Sequence, residues 1–502
     1  MTSQSNSAPP VKRLMQQTLL PFAFAQNTNV ENSTKEDATP SKRQKKQVRI
    51  RGTSIRTLYC IPKSEISTAT LEEHKKVLTL TPRDTGFGQA PASFTVYVES
   101  KESLYVPRYY GIEHYGMPDV INASDGQVMN HPFSGSLNDV QLDAVNETVQ
   151  KLNENVIGGA MLVLPCGYGK TVCALNICTR MKRKTLVLVH KGFLVEQWHE
   201  RARQFIPDAS LGIIRQDKFD ADADIVVGMI QSISKRSYDS DMMKRFGLVI
   251  VDEAHHMSAP VFSMALREVP ACKILALSAT PERKDGLTSL LYWSMGSICH
   301  RIERKPEHTL VSCMLYDGGT RKEVKMRNGQ VSLPSMLNAL AKDNTRNNII
   351  AERMKECYGN NRHIIVLSDR ISQLEEIHNI LVRYKHIPEE DIAYYIAKTT
   401  AKDRKLAEEK RIILSTYSMA KEGLDIPRLC AVVFATPKGD VVQASGRVQR
   451  KHPDKGIPLI IDIVDTFSIF EQLRWKRFAF YKAESFQCQT LNVQDPNAQW
   501  FQ

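Results

Sequence analysis

Two stretches of this chain alternate short apolar runs, rich in β-branched residues, with longer segments of helical periodicity. In the first stretch, from about residue 136, the strand-like runs are GAMLVLP, KTLVLVH, ADIVVGM, GLVIVDEA and KILALSAT. In the second, after about residue 345, they are HIIVLSD, IAYYIA, RIILSTY, CAVVFAT and PLIIDIVD. This rhythm is typical of a parallel sheet with helices on both faces. We therefore predict an α/β protein with two parallel-sheet domains in tandem, residues 135–303 and 304–485.

The flanking segments differ from these stretches in composition. Residues 1–48 are rich in Ser, Thr, Asn, Gln and Lys and have little apolar periodicity, so we expect a disordered N-terminal tail. Residues 49–134 contain β-rich runs punctuated by Pro and Gly, which predicts a small β-rich N-terminal accessory domain. Residues 486–502 are expected to form a C-terminal tail.

Charge, cysteine spacing and hydropathy narrow the class of protein. The chain of 502 residues has a net charge of +12. This charge favours a polyanionic partner such as nucleic acid, although a basic protein without such a partner fits it about equally well. The ten cysteines include no C-x-x-C pair, which disfavours a zinc ribbon or an iron–sulfur cluster and favours free thiols. No apolar run reaches the roughly twenty residues of a membrane span, and no signal-peptide pattern is present, so we expect a soluble intracellular protein.

A turn containing two glycines follows the first strand, in LVLPCGYGKTVCAL. Gly167 and Gly169 allow backbone N–H groups to curve around an anion, and the following helix adds the positive end of its dipole. Lys170 can reach the β- and γ-phosphates of a nucleotide, and Thr171 can ligate Mg²⁺. The strict phosphate-loop pattern has a further glycine where Leu164 stands. A tight strand–helix turn that binds no nucleotide is the alternative.

Two carboxylates end a hydrophobic strand in FGLVIVDEAHH. Asp252 at the strand tip can support Mg²⁺ through water, and Glu253 can activate an attacking water. A simple cap of the strand end is the alternative. The position of the pair, about eighty residues after a Gly-Lys-Thr turn in the same α/β rhythm, favours a nucleotide site.

The second stretch carries two arginines on one face of a predicted helix. QASGRVQR places Gln443, Arg447 and Arg450 at positions i, i+4 and i+7. Arginines that reach a phosphate from a neighbouring domain act as arginine fingers and tie hydrolysis to domain closure. A surface helix that carries two arginines is the alternative, and the order of the three patterns favours the finger.

Eight elements in this order resemble the motifs of the superfamily 2 helicases and translocases. Gln141 in LNDVQLDAV stands where the family has its adenine-contacting glutamine. The others are PCGYGKT as motif I, LVLVHKGFLVEQW as motif Ia, DEAHH as motif II, LSATP as motif III, IIVLSDR as motif IV, STYSMAKEGLDIP as motif V and QASGRVQR as motif VI. The resemblance covers roughly residues 135–485 and implies two tandem RecA-like domains.

Within the superfamily, DEAH, SATPERKDG and HKGFLVEQW are most similar to the XPB-type DNA helicases. They are also similar to the relatives of these enzymes in large DNA viruses, including the poxvirus transcript-release helicases. XPB-type enzymes have Arg-Glu-Asp after motif III, where this chain has Arg283, Lys284 and Asp285. A strand-separating role is therefore not carried over to this triplet.

The resemblance implies ATP and Mg²⁺ as cofactors, bound between the two domains at the ends of the first sheet's strands. The implied ATP-binding residues are Gln141, Pro165, Cys166, Gly167, Tyr168, Gly169, Lys170, Thr171, Asp252, Gly423 and Asp425, of which Thr171 and Asp252 would hold Mg²⁺. The implied catalytic residues are Glu253 as the base, Gln443, Arg447 and Arg450. The residues implied to couple hydrolysis to domain movement are His255, Ser278, Ala279 and Thr280.

The resemblance also implies a nucleic-acid track that crosses both domains. The implied DNA contacts are His190, Lys191, Gln231, Thr416 and Lys421. Such residues grip the phosphate backbone irrespective of base sequence. A solvated strand end is the alternative for His190 and Lys191.

We expect an ATP-dependent DNA helicase or translocase that moves 3′ to 5′ in viral transcription, replication or repair. Its expected location is the nucleus or a viral replication factory, or alternatively the virion. An RNA-directed motor acting in transcript release is one alternative, and a clamp-tethered nucleic-acid-binding scaffold is another. The absence of a nuclease motif disfavours a restriction-type translocase.

Two aromatic segments and a basic run stand apart from the motifs. In QQTLLPFAF, Gln16, Leu19 and Phe22 fit the anchors of a peptide that binds a PCNA-like sliding clamp, although Ala23 replaces the usual second aromatic. Chance apolar content is the alternative. The run KRQKKQVRIR fits a nuclear-localisation signal or a DNA-tethering arm equally well. The aromatics of RWKRFAFY are expected to pack on the second domain rather than stack on bases: Trp475, Phe478, Phe480 and Tyr481.

Overall fold

The computed structural model describes residues 48–83, 92–165, 167–216, 218–236, 238–254, 259–283, 285–302, 308–318, 322–424, 426–450, 452–453 and 455–493. All of them belong to one compact unit of the chain, residues 47–502. Some sequence predictions fall outside the described residues: the N-terminal tail with Gln16, Leu19 and Phe22, and the motif residues Cys166, His255, Lys284 and Asp425.

An N-terminal sheet with two helices precedes the first parallel sheet. Its elements are β1 (Ser54–Ile55), β2 (Tyr59–Pro62), α1 (Thr68–Val77), β3 (Thr79–Leu80), β4 (Phe94–Thr95), β5 (Val98–Glu99), β6 (Ser103–Val106), α2 (Arg108–Tyr115) and β7 (Val120–Ile121). The sheet has the order β5-β6-β2-β1-β7, and β3 pairs with β4 as a separate ribbon. The β1–β7 pair is parallel and the other pairs are antiparallel. The segment is β-rich, as the sequence predicts.

The N-terminal sheet shares an apolar core with the domain that follows it. Tyr59 and Leu104 of the sheet lie in one buried cluster with Cys272 and Leu290. The buried Arg108 guanidinium crosses the junction and donates hydrogen bonds to the carbonyl oxygens of residues 56, 57 and 271. Because a buried arginine needs acceptors for its N–H groups, these carbonyls hold the two parts together. The N-terminal sheet is therefore docked on the first parallel-sheet domain.

The first parallel sheet has eight strands. The elements are α3 (Asp139–Asn153), β8 (Gly158–Val163), α4 (Lys170–Met181), β9 (Thr185–Val189), α5 (Gly192–Phe205), β10 (Leu211–Arg215), β11 (Lys218–Phe219), β12 (Ile225–Met229), α6 (Ile230–Ile233), α7 (Ser240–Met243), β13 (Leu248–Val251), α8 (Ala259–Glu268), β14 (Lys273–Ser278), α9 (Thr288–Met295) and β15 (Ile298–Arg301). The strand order is β11-β10-β12-β9-β13-β14-β8-β15, and only β11 pairs antiparallel.

The central strands of this sheet are apolar throughout because both of their faces are covered. Every residue of β8, β9, β13 and β14 is buried. One apolar cluster, with residues of α4 and α5, fills one face, and a second cluster, with residues of α8, fills the other. A strand buried on both faces has no polar side to alternate with. This is the physical reason for the uninterrupted apolar runs in the sequence.

The second parallel sheet has seven strands. The elements are β16 (Leu310–Tyr316), α10 (Leu333–Ala341), α11 (Asn344–Gly359), β17 (Ile364–Ser368), α12 (Ile371–Arg383), β18 (Ile392–Tyr395), α13 (Ala401–Ala407), β19 (Ile412–Thr416), α14 (Tyr417–Gly423), β20 (Ala431–Phe434), α15 (Val442–Arg447), β21 (Leu459–Asp465), α16 (Phe470–Ala483) and β22 (Gln487–Asn492). The order is β18-β19-β17-β20-β21-β16-β22, with every pair parallel. The predicted α/β class with two tandem parallel-sheet domains is confirmed.

The C-terminal end of the second domain differs from the sequence prediction. Its first strand, β16, begins at Leu310 and lies inside the predicted range 304–485, although it precedes the strand-like runs recognised after about residue 345. We expected residues 486–502 to be a tail, yet Gln487–Asn492 form β22 and pair in parallel with β16. The run QCQTLN is mostly polar, as suits an edge strand, so its apolar signal is weak.

The aromatic segment after β21 mostly packs on the second domain. Tyr481 is buried, and Phe478 and Phe480 are half-buried against the same apolar cluster. Trp475 departs from this expectation because it is 51% exposed, with the Arg474 guanidinium 4.6 Å from its ring centroid. In a separate respect, none of the helices in the described ranges is long and apolar enough to cross a membrane.

Candidate nucleotide-binding site

Four adjacent strands bring the predicted nucleotide residues together. In the order β9-β13-β14-β8, the strands are parallel, so their carboxyl ends lie along one edge of the sheet. His190 follows β9, Asp252 follows β13, Ser278 ends β14, and the phosphate loop follows β8. The carboxyl edge of a parallel sheet is where ligands of α/β proteins bind.

The phosphate loop has a backbone that glycine favours. Gly167 and Gly169 have φ values of 88° and 79°. The positive φ of Gly169 disfavours any residue with a side chain, and a Cβ there would lie 2.5 Å from Gln141 Nε2, so the Gln141 amide would have to move. Gly169 is also the N-cap residue of α4, whose first turn contains Lys170 and Thr171. The loop therefore fits a phosphate group held by backbone N–H groups at a helix start.

The departure from the strict loop pattern has a structural reason. Leu164, which stands where a glycine is usual, is fully buried in the apolar core. Its N–H donates to the carbonyl oxygen of Ser278 at 3.0 Å, and its own carbonyl oxygen lies 3.4 Å from Lys170 Nζ. Leu164 thus extends the apolar core by one residue beyond β8. The glycines that the turn needs, Gly167 and Gly169, come later in the loop.

Gln141 is placed against the phosphate loop by its helix cap. Its backbone N–H and side-chain Oε1 form a capping box with Asn138 at the start of α3. Its Nε2 donates to the carbonyl oxygen of Tyr168 at 3.2 Å. The contact joins α3 to the loop, while the predicted adenine contact stays a prediction.

Lys170 and the acidic pair meet beside the loop. Lys170 Nζ lies 3.4 Å from Glu253 Oε1, and both side chains are mostly buried. Glu253 has a positive φ of 47°, which is an uncommon conformation for a residue with a side chain and is typical of functional sites. Lys170 therefore compensates the carboxylate charge in the absence of a nucleotide.

Asp252 is a buried carboxyl whose position is set by a tryptophan. Trp198 Nε1 on α5 donates to Asp252 Oδ2 at 2.9 Å, and both side chains are buried. Burial, followed by the neighbouring Glu253 carboxylate, raises the pKa of Asp252 to about 6. The Trp198 hydrogen bond and the charges of Lys170 and His190 act in the opposite direction. A divalent cation would favour the carboxylate form in the same way, so Asp252 fits the predicted Mg²⁺ role.

Trp198 was not among the sequence-predicted site residues. It belongs to the apolar face of α5 with Leu194 and Val195, so its spacing predicts only a core position. The hydrogen bond to Asp252 joins residues 54 positions apart. Only the packing of α5 against the sheet reveals it.

Two arginines of the second domain, Arg450 and Arg447, have different described contacts. A Cβ on Gly167 would lie 3.1 Å from Arg450 Cγ, so the Arg450 side chain lies directly over the phosphate loop. Arg447 Nη1 instead donates to the carbonyl oxygen of Leu424 at 2.6 Å within its own domain. Gln443 lies on α15 and is 7% exposed. Of the contacts described here, that of Arg450 is with the first domain's loop.

The predicted coupling and DNA-contact residues are placed as follows. Ser278 is buried at the end of β14, and Ala279 and Thr280 follow it. Gln231 Nε2 donates to the carbonyl oxygen of His190 at 3.0 Å and so supports the loop after β9. Thr416 ends β19 and accepts or donates a hydrogen bond with Ser418.

Three more motif residues belong to helices. Lys191 is the N-cap residue of α5. Lys421 and Gly423 lie on α14, and only the backbone of these two residues is described. His190 acts electrostatically on Asp252, which places it near the nucleotide residues. The roles of these residues in coupling or DNA binding stay predictions.

The triplet after motif III is part of the junction with the N-terminal sheet. Arg283 Nε donates to Asp285 Oδ1 at 2.9 Å, and the same oxygen accepts the N–H of Leu287. The carbonyl oxygen of Asp285 accepts the N–H of Arg83 at 2.9 Å. The arginine and aspartate of the triplet therefore bind each other and the N-terminal segment.

Comparison with known proteins finds a family match and helicase relatives. The family model of the type III restriction enzyme res subunit matches residues 134–283. A curated protein of Acanthamoeba polyphaga mimivirus is 32% identical over 449 residues, covering 87% of this chain and 85% of the relative. A protein of African swine fever virus is 24% identical over 383 residues, covering 68% of this chain and 72% of the relative. Both relatives carry the provisional name of ATP-dependent RNA helicase.

Solved structures share the fold. The type ISP restriction-modification enzyme LlaBIII bound to DNA is 16% identical and has a TM-score of 0.52, covering 73% of this chain and 32% of that one. A substituted form of S. cerevisiae Dbp5 bound to RNA and ADP BeF3 is 14% identical and has a TM-score of 0.50, covering 71% of this chain and 90% of that one.

The similarity to the mimivirus protein extends over most of both chains, well beyond the segment that the family model matches. The resemblance inferred from the sequence motifs is therefore confirmed. The chain belongs to the superfamily 2 helicases and is similar to those of large DNA viruses.

Proposed function

We propose that this chain hydrolyses ATP to move along DNA and to unwind or remodel it. The observation that carries the proposal is the position of Arg450, which reaches from the second domain onto the phosphate loop of the first. A nucleotide bound there would be contacted by both domains. Its hydrolysis would then change how the domains attract each other, which is the requirement for a motor.

The site residues have distinct chemical tasks in this proposal. Lys170, now 3.4 Å from Glu253, would neutralise phosphate charge. Glu253 would accept a proton from the attacking water, and Asp252 with Thr171 would hold Mg²⁺, which supplies charge neutralisation at the phosphates. Arg450 would stabilise the charge that develops on the transferred phosphate.

Steady-state ATPase measurements test the proposal. The full chain is assayed without nucleic acid, and with single-stranded DNA, duplex DNA or RNA, beside the variant Glu253→Gln. We expect DNA to stimulate hydrolysis, and the substitution to lower the rate at least about a hundredfold because the general base is lost. No hydrolysis with any of the four would contradict the motor proposal and leave a nucleic-acid-binding scaffold.

An RNA-directed motor is the second candidate. The viral relatives at 32% and 24% identity are named as RNA helicases, and one structural neighbour is bound to RNA. Both tracks present a phosphate backbone, so the grip itself does not separate them. Stimulation of the ATPase by RNA alone would favour this candidate.

The proposed direction is 3′ to 5′. Duplexes with a single-stranded tail on either the 3′ or the 5′ side test it by strand displacement in the presence of ATP. Unwinding of the 3′-tailed duplex alone is the expected result. Displacement that requires a 5′ tail would reject the direction without affecting the ATPase proposal.

A further inference from the structure

A polar pocket of about 260 Å³ lies at the amino-terminal edge of the second sheet. Its walls are residues 360–363, Arg428, Cys430 and Gly456, and we call it the edge pocket. His363 directly precedes β17, and Cys430 directly precedes β20. The volume is well above the roughly 10–15 Å³ that one water needs, so a polyatomic ligand fits.

The edge pocket is separate from the nucleotide site and from the predicted DNA contacts. The lining residues that the structure describes all belong to the second domain. Thr416 lies at the opposite end of the strands, at the carboxyl edge. Five residues of β17 span that distance, which at ~3.3 Å per residue is about 16 Å. A ligand in the edge pocket would therefore contact neither the phosphate loop nor the residues at that edge.

The guanidinium groups around the pocket are held by backbone carbonyls. Arg428 Nη2 donates to the carbonyl oxygen of Glu408 at 2.9 Å, and Arg362 Nη1 donates to that of Ile457 at 2.8 Å. Arg411, behind the pocket, donates to the carbonyl oxygen of Tyr358 at 2.8 Å. Within the described ranges, neither Arg428 nor Arg411 forms an ion pair with a carboxylate. Their positive charge therefore remains available to a ligand.

The pKa of His363 is affected by the positive charge around its imidazole. Its pKa lies below the ordinary value of 6.5, because of burial first and then because of the nearby charges of Arg428, Arg411 and His452. All three of these neighbours are basic residues. At neutral pH the ring is therefore uncharged and able to donate one N–H to an oxygen acceptor. The pocket thus combines positive potential with hydrogen-bond donors.

We propose that the edge pocket binds a phosphate group, supplied by a free phosphate ion or by a nucleic-acid strand. Arginine matches phosphate oxygens in a two-pronged geometry, and asparagine amides are common phosphate contacts. The lining offers Arg428 and Arg362 together with Asn360 and Asn361. Its described residues include no carboxylate that would repel the anion.

The pocket is connected to the arginine that faces the phosphate loop. Lys455 precedes the lining residue Gly456, and its Nζ donates to the carbonyl oxygen of Arg450 at 2.7 Å. The same Nζ lies 3.4 Å from the carbonyl oxygen of Pro427, which precedes Arg428. A phosphate that orders this wall would therefore also act on the segment that carries Arg450.

Calorimetric titration of the full chain with inorganic phosphate tests the proposal. The protein carries Lys170→Ala, which weakens phosphate binding at the loop of the first domain. We expect one phosphate site, weakened about tenfold or more by Arg428→Gln and by Asn361→Asp. Asn361 has a φ of 57°, a conformation that aspartate also tolerates, so the second variant adds negative charge with the backbone preserved.

A matched control and a second ligand complete the experiment. Arg383→Gln removes the same charge from an exposed position at the end of α12, and phosphate binding should be unchanged. A twelve-nucleotide single strand without ATP identifies the source of the phosphate. If Arg428→Gln weakens its binding and lowers the salt dependence, the source is nucleic acid, and if not, it is free phosphate. No phosphate binding in the Lys170→Ala protein, or equal binding by all variants, would overturn the proposal.

Discussion

Single residues of the phosphate loop are constrained by conformation and by space at once. Gly169 has a positive φ of 79°, and Gln141 Nε2 occupies the volume that a Cβ would fill. Gly167 is similarly placed under Arg450. A side chain at Gly169 would strain the backbone and displace the Gln141 amide, which donates to the carbonyl oxygen of Tyr168.

We predict that Gly169→Ala weakens ATP binding at least about tenfold and lowers the free energy of unfolding by about 1–2 kcal/mol, because a residue with a Cβ in the left-handed region costs that much. Titration with a fluorescent ATP analogue and denaturant unfolding measure the two effects. Gly359→Ala is the matched control, since an added Cβ there has nothing within 4 Å. ATP affinity equal to that of the unsubstituted chain would contradict the role of the loop.

A second prediction concerns the hydrogen bond from Trp198 to Asp252. Trp198→Phe keeps an aromatic ring in the core and removes the N–H donor. Because the donor favours the carboxylate form of Asp252, we expect the Mg²⁺ concentration for half-maximal ATPase to rise severalfold. Trp475→Phe, at an exposed position, should leave it unchanged. If Trp198→Phe alters only the stability, the tryptophan is a packing residue and does not position Asp252.

At the scale of elements, a buried histidine joins α1 to α2 in the N-terminal segment. His74 on α1 is 4% exposed, its Nδ1 lies 2.7 Å from the hydroxyl oxygen of Tyr110, and its Nε2 is also hydrogen-bonded to Tyr115. Burial, followed by the nearby His114, lowers the pKa of His74 from 6.5 to about 4. The ring is therefore neutral in the folded protein at neutral pH.

The lowered pKa of His74 predicts that the folding stability of the protein depends on pH. Between pH 6.5 and pH 4 the unfolded chain binds a proton at His74 that the folded chain does not bind. The contribution of the neutral His74 ring to the free energy of unfolding is therefore fully present above pH 6.5. It decreases by about 1–3 kcal/mol as the pH falls toward 4. Urea unfolding across this range measures it, with His74→Gln as the comparison. The variant should lose less stability over that interval, and parallel curves for both proteins would contradict the assignment.

Strands that are buried on both faces can be predicted from the sequence, whereas exposed edge strands cannot. The fully buried strands β8, β9, β13 and β14 are uninterrupted apolar runs and were recognised in the sequence. The edge strands β11 and β22 carry polar residues because solvent reaches them, and their sequences do not differ from loops. Strand pairing with a distant partner, not local pattern, makes them strands.

At the scale of the whole molecule, the contact between Arg450 and the phosphate loop joins the two parallel-sheet domains. An exposed ion pair, Lys405 Nζ to Glu200 Oε1 at 2.8 Å, joins them at another place. Such an exposed pair contributes little to stability, because water screens both charges. In the proposed mechanism, the functional link between the domains is therefore the contact of Arg450 with the nucleotide.

We predict that Arg450→Gln lowers kcat of the ATPase about a thousandfold with little change in folding stability, because the charge acts on the transition state. Arg447→Gln should lower stability as well as rate, since Arg447 is mostly buried and bonded to the carbonyl oxygen of Leu424. Lys405→Gln is the control for a lost interdomain cation and should change kcat less than twofold. If Arg450→Gln lowered the free energy of unfolding together with kcat, Arg450 would have a structural role.

The sequence by itself determined the fold class and predicted the residues of a nucleotide site. Buried strands alternate with helices in two successive stretches of the chain, which is the pattern of parallel sheets. This pattern is visible in the sequence because hydrophobic periodicity involves only residues that are near one another along the chain. The turn with Gly167, Gly169 and Lys170, and the strand end with Asp252 and Glu253, are likewise local arrangements along the chain.

Only the tertiary structure decided which distant residues meet. The Trp198 hydrogen bond to Asp252, the position of Arg450 over Gly167 and the basic edge pocket each join segments that lie far apart in the chain. Local pattern carries no information about such contacts, because they depend on strand order and on how helices pack across a sheet. For the same reason β22 could be recognised as a strand only beside β16.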